Sequence, residues 1–437
     1  MTTKAPLPHR QSFACPRFPP TAALVFLFTL SSSAALCGPQ PGEVYREYAV
    51  HQAGDDWRVT NPAVAGERAR RHLPNPVLHV TIGDLAGAVR AEAMLDRWGG
   101  HVSTKRPQLR FNGRDWLDVP PPLVPPGNGD HERYYFQDNP VIDVPLAHLQ
   151  AGVNTFEGTT SHENPTAWGQ WGLYSLILRV YYDSTELPHA EARIVSPAPG
   201  ATFSENPIVR VEATAPNGVA RVDVLAWYEG YDENGDGVWL DWHQHYFQPL
   251  RGHAAELREH VGTAWRSPYD IRWDTRWVPD QQPRAVKLVA RVQDSRGAWT
   301  VTEPVSDLTL QRKGESVRLY RTAEVPLRFG VRNKLAKSCA IPIPANARLA
   351  AAVEAGLHLR TWHGWDGHHH PYKLNEVVQP VGGKNHHYAY DIHVIAPSAL
   401  HTGDNTFAIS SDTEHHMLEV HWPGPALTVR YRETARR

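Results

Sequence analysis

One turn is written twice in this chain. LQAGVNTF at Leu149–Phe156 returns as LHTGDNTF at Leu400–Phe407, 251 residues later. In both, a leucine leads into a glycine, and the stretch closes on Asn-Thr-Phe. Glycine takes positive φ without penalty, and an asparagine side chain bonds readily to backbone two residues away. The combination marks a tight corner, with Phe156 and Phe407 turned into a core. A repeated corner limits the possible folds more than composition does, because its surroundings are expected to repeat as well.

The flanks agree. Upstream of the first corner lies HERYYFQDNPVIDVPLAHL, and upstream of the second NHHYAYDIHVIAPSAL; both alternate aromatic or apolar residues with polar ones, the period of half-buried strands. Earlier still, RAEAMLDRWGGH faces GLHLRTWHGWDGHHH, and downstream LYSLILRVYYD faces PALTVRYRE. Between the copies, residues from Ala190 onward show short alternating runs broken by turn signals about every 8–12 residues. With 37 Pro, 32 Gly and 15 Trp and few helical patterns, the chain is expected to be all-β. Three β-sandwich domains in tandem are expected, over 44–186, 190–312 and 316–433.

Two resemblances sharpen this. LRFNGRDWLDVP followed by VPLAHLQAGVNTFEG resembles the galactose-binding-like jelly roll, in which an Asn-Gly hairpin lies between two strands. The second copy keeps LHTGDNTFAIS, and YKLNEVVQPVGG stands at the hairpin, where Asn375 is followed by Glu376 in place of glycine. SPAPGATF and ARVQDSRGAW resemble the first and last strands of bacterial immunoglobulin-like domains. These resemblances imply a jelly roll, an immunoglobulin-like spacer and a second, diverged jelly roll.

The first 37 residues carry Lys4, His9, Arg10 and Arg17, then the apolar run TAALVFLFTL, then SSSAALC. That order is expected of a signal peptide, and the run falls short of the roughly 20 apolar residues of a membrane span. The mature protein is therefore expected to be secreted or periplasmic, without membrane insertion after cleavage. Cys15 and Cys37 leave with the signal, so Cys339 stands alone and no intrachain disulfide framework is expected. A net charge of -2 provides no field for nucleic acid.

Three patterns bear on chemistry. In YDENGDGVWLDWH, Asp232, Asn234 and Asp236 followed by Gly237 fit the first half of a calcium loop. The twelfth position is His243 instead of glutamate, and Asp241 at the tenth is the substitute ligand. Ca²⁺ bound to this hairpin is set against a plain acidic turn. Histidines gather in WHGWDGHHH, NHHY and EHHMLEVH, beside His358, His393 and His401. Zinc or copper would suit imidazoles, but adjacent residues of a strand point to opposite faces, so solvated histidines are the plainer expectation. Finally, Trp98, Trp168, Trp171, Trp362 and Trp365, with His101, are placed among glycines and polar residues, as aromatic faces that stack on sugar rings are.

Nucleophile elbows, phosphate loops, dinucleotide fingerprints and zincin helices are absent from the sequence. The expected function is non-catalytic binding of a polysaccharide or surface glycan by the two outer sandwiches. A lyase or hydrolase on the N-terminal sandwich, using for instance Tyr134 with His101, and a structural surface component are the alternatives.

Overall fold

The computed structural model describes residues 38–433, apart from 52–57, 62, 64–66, 68–76, 101–103, 122–134, 162–170, 248–254, 327, 364–371, 380–386 and 415–416. His101, Tyr134, Trp168, Trp365, the signal-peptide segment and several clustered histidines lie outside the described residues. The described chain is all-β: its only helical elements in the element order are single 3-10 turns such as Leu146–His148 and Pro397–Ala399. No helix among the described residues is long and apolar enough to cross a membrane.

The N-terminal part packs two sheets face to face. In one, Val44–His51, Trp171–Tyr182 and Ala88–Trp98 run antiparallel in that order. The other is Leu78–Ile82, Gly152–Thr159, Gln108–Phe111 and Leu117–Asp118. Alternation along these strands sends Ile82, Leu95, Leu109, Phe111 and Phe156 into the shared core. The C-terminal part uses the same order. Glu315–Arg321, Ala426–Arg432 and Ala352–His363 form one sheet, opposed by Leu335–Ile343, Gly403–Ser411, Tyr372–Leu374 and Val377–Gln379. Phe407, Leu374, Ile341 and Leu357 fill that core.

The two corners are held in the same way. Asn154 accepts from Gln150 N–H at 2.8 Å and donates to Gln150 O at 2.7 Å, while Asn112 donates to Asn154 Oδ1 at 2.7 Å. Asn405 accepts from His401 N–H at 3.0 Å and donates to His401 O at 2.8 Å, while Asn375 donates to Asn405 Oδ1 at 3.0 Å. Asn112 and Asn375 sit at φ +49° and +53°, a region asparagine tolerates better than most residues. Glu376 after Asn375 therefore leaves the asparagine's own task untouched.

The central part has its own core of Val209, Val211, Val222, Val224, Leu288 and Leu308, between Val219–Glu229 with Val286–Asp294 on one side and Ile208–Thr214 on the other. It is not a free-standing bead. Ala298–Val301 pairs with Val286–Asp294 and also with the first strand, matching Val44 to Thr300 and Arg46 to Ala298. One sheet thus runs from the N-terminal part into the central part. As a result Trp171–Tyr182 is buried at all twelve positions. One face meets the N-terminal core; the other meets Tyr45, Leu225, Trp299 and Tyr246. A strand covered on both faces reads as a nearly unbroken apolar run, as LYSLILRVYY does.

Candidate functional site

The strands Val219–Glu229 and Leu240–His243 pair as a hairpin, Ala226 to His243 and Glu229 to Leu240. The loop between them carries the acidic motif. Gly235 and Gly237 take φ of +71° and +94°, which bends the chain back on itself. Asp232 then accepts from the backbone N–H groups of Asp236 at 3.1 Å and Gly237 at 2.9 Å. Asn234 donates to Asp236 at 3.1 Å, and Asp236 accepts from Val238 N–H at 2.8 Å. Asp241 lies outside this knot, accepting from Trp242 N–H at 2.7 Å.

These oxygens are engaged with the turn's own backbone. Among the described residues no group of three or more His, Cys, Asp or Glu is arranged to hold a metal ion. Asp232, Asn234 and Asp236 thus hold the turn together through one another and its backbone, while Asp241 holds the Trp242 N–H.

The turn is instead a plug where three parts meet. Arg360, from the C-terminal Ala352–His363 strand, donates to Gln137 O of the N-terminal part at 2.7 Å and to Trp422 O at 2.9 Å. Gly235 lies against it: a Cβ there would collide with the Arg360 guanidinium and stand 2.9 Å from Gln137 O. The Tyr231 hydroxyl donates to Gly424 O at 2.7 Å. Burial, then the Asp236 charge, pushes the Asp232 carboxyl up to about 8. Burial also raises Asp236, and pushes Asp241 up to about 6.

Beside the plug a pocket of about 250 Å³ opens between the central and C-terminal parts. Five aromatic rings, Tyr228, Tyr231, Trp273, Trp277 and Tyr390, line it together with Glu233, Glu259 and His243. Tyr228 stacks on His243 with centroids 3.6 Å apart, and Tyr231 stacks on Tyr390 at 5.3 Å. Gly230 makes the first stack possible, since a Cβ would meet His243 Cε1 at 2.6 Å and the Tyr228 ring at 2.7 Å.

His243 Nδ1 lies 2.8 Å from Glu233 Oε2 and its Nε2 3.0 Å from Tyr228 O. Both neighbours accept only, so both ring nitrogens donate and the ring is an imidazolium. Burial opposes that charge, but the Glu233 carboxylate outweighs it and His243 is held above its ordinary value. His358 is different: it bonds Tyr390 Oη and Thr428 Oγ1 at 2.7 and 2.9 Å, and burial pushes it down to about 3. Glu259 stands at the pocket with φ +61°. The residue as a whole is exposed, yet enclosure of its carboxyl, then the Glu233 charge, raises it to about 7.

The tryptophans expected to meet a ligand are placed elsewhere. Trp171 is fully buried, and its indole donates to Thr159 O at 3.0 Å. Trp98 is buried against Tyr174, which bonds Tyr388 Oη of the C-terminal part at 3.2 Å. With both side chains buried, these two are packing residues and not ligand contacts. Trp362 is half-buried opposite Tyr388 and does not line the pocket. The pocket residues were missed because they come from separated stretches of the chain; the one local signal was Tyr231 and Glu233 alternating with Asp232.

No protein-family model matches the chain, and no curated protein matches it. Among solved structures it is similar to a β-porphyranase of glycoside hydrolase family 86 from the human gut bacterium Bacteroides plebeius, with 11% identity over 58% of this chain and a TM-score of 0.22. The chain spans 39% of that enzyme's length. It is also similar to the fibronectin(III)-like modules of Clostridium thermocellum CbhA, with 10% identity, 60% of this chain and 94% of that one covered, and a TM-score of 0.19. A third, BuGH86 in complex with neoagarooctaose, aligns at 7% identity over 63% of this chain and 40% of its own, with a TM-score of 0.22.

Proposed function

We propose that the protein is an exported carbohydrate-binding protein that takes its ligand in the pocket between the central and C-terminal parts. The observation that carries this is five aromatic rings and three carboxyl groups, those of Glu233, Glu259 and Asp274, lining one concave site. Sugar rings present an apolar face suited to stacking and a rim of hydroxyls suited to carboxylate acceptors. The n-region, apolar run and small-residue zone before residue 38 support export.

Calorimetric titration of the mature chain with a panel of oligosaccharides tests it. Saturable binding that Trp277→Ala weakens at least tenfold is the expected result. Absence of heat with every oligosaccharide, from a protein with an intact melting transition, ends the proposal. A hydrolase is the second reading, favoured by two carboxyl groups in one pocket with different surroundings: Glu233 paired to His243, Glu259 raised to about 7. Release of reducing sugar in the same titrations separates it from binding alone.

A further inference from the structure

We infer that the pocket prefers a saccharide bearing a free amine over neutral and acidic saccharides, an inference that rests on the carbohydrate reading above. The first support is the balance of charge. Glu233, Glu259 and Asp274 line the site, and among the described lining residues there is no lysine or arginine. The cation present, His243, has both N–H groups committed to Glu233 and Tyr228 O. Its charge is matched by Glu233; Glu259 and Asp274 have Arg258 and Arg276 beside them outside the lining, so within the lining carboxyls outnumber cations. An anionic sugar would meet repulsion there.

The second support is a bare acceptor. Thr263 donates its hydroxyl hydrogen to Asp223 at 2.6 Å. The contact between His260 Nε2 and Thr263 Oγ1, 2.8 Å long, must therefore be donated by the histidine. His260 is then the tautomer with hydrogen on Nε2, and its Nδ1 is a lone-pair acceptor. That atom is buried and has no hydrogen-bond partner among the described residues, and His260 lines the pocket. Burial holds this imidazole at about 4, so it stays neutral. A buried acceptor calls for a donor, and an ammonium group has three.

The third support is the aromatic wall. Ring faces of tyrosine and tryptophan attract cations through their quadrupole, most strongly where water is excluded. Acceptor, carboxylates and ring faces thus favour one chemistry, a protonated amine carried on a sugar.

The experiment compares three oligosaccharides of equal length at pH 7 by calorimetry: oligoglucosamine, its fully N-acetylated form, and an oligouronate. The expected result is glucosamine binding at least tenfold tighter than the acetylated form, with no binding of the uronate. Glu259→Gln, at an exposed position, should weaken binding of the glucosamine form more than binding of the acetylated form and so shrink the preference severalfold, and His260→Phe should shrink it too. Equal affinity for the amine and its acetylated form overturns the inference and leaves the carbohydrate reading standing. No binding of any of the three, by protein that melts normally, overturns both.

Discussion

The N-terminal and C-terminal parts share strand order and the asparagine pair at the corner, yet they are used differently. In the N-terminal part the Val44–His51 strand is sealed by Ala298–Val301, so its sheet disappears into the central part. In the C-terminal part the corresponding Glu315–Arg321 strand ends its sheet, touched by a backbone bond from Asp280 N–H to Val317 O at 2.8 Å. In the same sheet the polar side chains of Arg360 and His358 on Ala352–His363, and of Tyr390 on His387–Ile395, are turned toward the plug and the pocket. What is alike in the two parts is scaffold; what differs is where chemistry collects.

The sharpest way to break this comparison is at the corners. Asn154→Ala and Asn405→Ala each remove a fully buried side chain with several hydrogen bonds and strand the partner groups. Each should destabilise by about 3 kcal/mol in denaturant titrations, and by similar amounts. A large effect in one part and none in the other would show that the likeness is superficial.

Next comes the plug, which has no counterpart in a lone sandwich. Gly235→Ala meets both a positive φ and the Arg360 guanidinium, and should cost about 2 kcal/mol. Loss of less than a few tenths would mean that the three parts are not clamped at this point.

The smallest effect is a pH dependence. Asp232 has its folded value raised to about 8 against an unfolded value near 3.8, so the folded state holds the extra proton. Its contribution is fully present below about 4 and is lost as pH rises through 8. The raised Asp236, Asp241, Glu259 and His243 act in the same direction. Depressed His358 and His260 act oppositely, but only below about 6.5. Between pH 6.5 and 8 stability should therefore fall, by at most about 1.4 kcal/mol per pH unit from Asp232. Thermal melts at both pH values, with Asp232→Asn flattening the difference, check this.

The corners and the all-β class were legible because their causes are local: glycine, asparagine and period-2 alternation act within a few residues. The acidic turn was legible as a turn but not as a plug, since Arg360 and Gln137 reach it from more than ninety residues away on either side. Trp171 was read as a surface residue because GQWG looks like a loop. Its burial depends on two sheets closing over one strand, which no short stretch encodes. The pocket was least legible of all, as Tyr228, Glu259, Trp277 and Tyr390 meet only when the central and C-terminal parts are in place.

The shared sheet also has a mechanical consequence. The first strand lies antiparallel between Trp171–Tyr182, along eight residue pairs, and Ala298–Val301, along three. Tension drawn along that strand loads these rungs together in shear instead of opening them one at a time like a zip. Resistance to pulling is governed by the rate of rupture, not by equilibrium stability. A protein gripped at its first strand would thus pass force directly into the central part, with the N-terminal sandwich held in line.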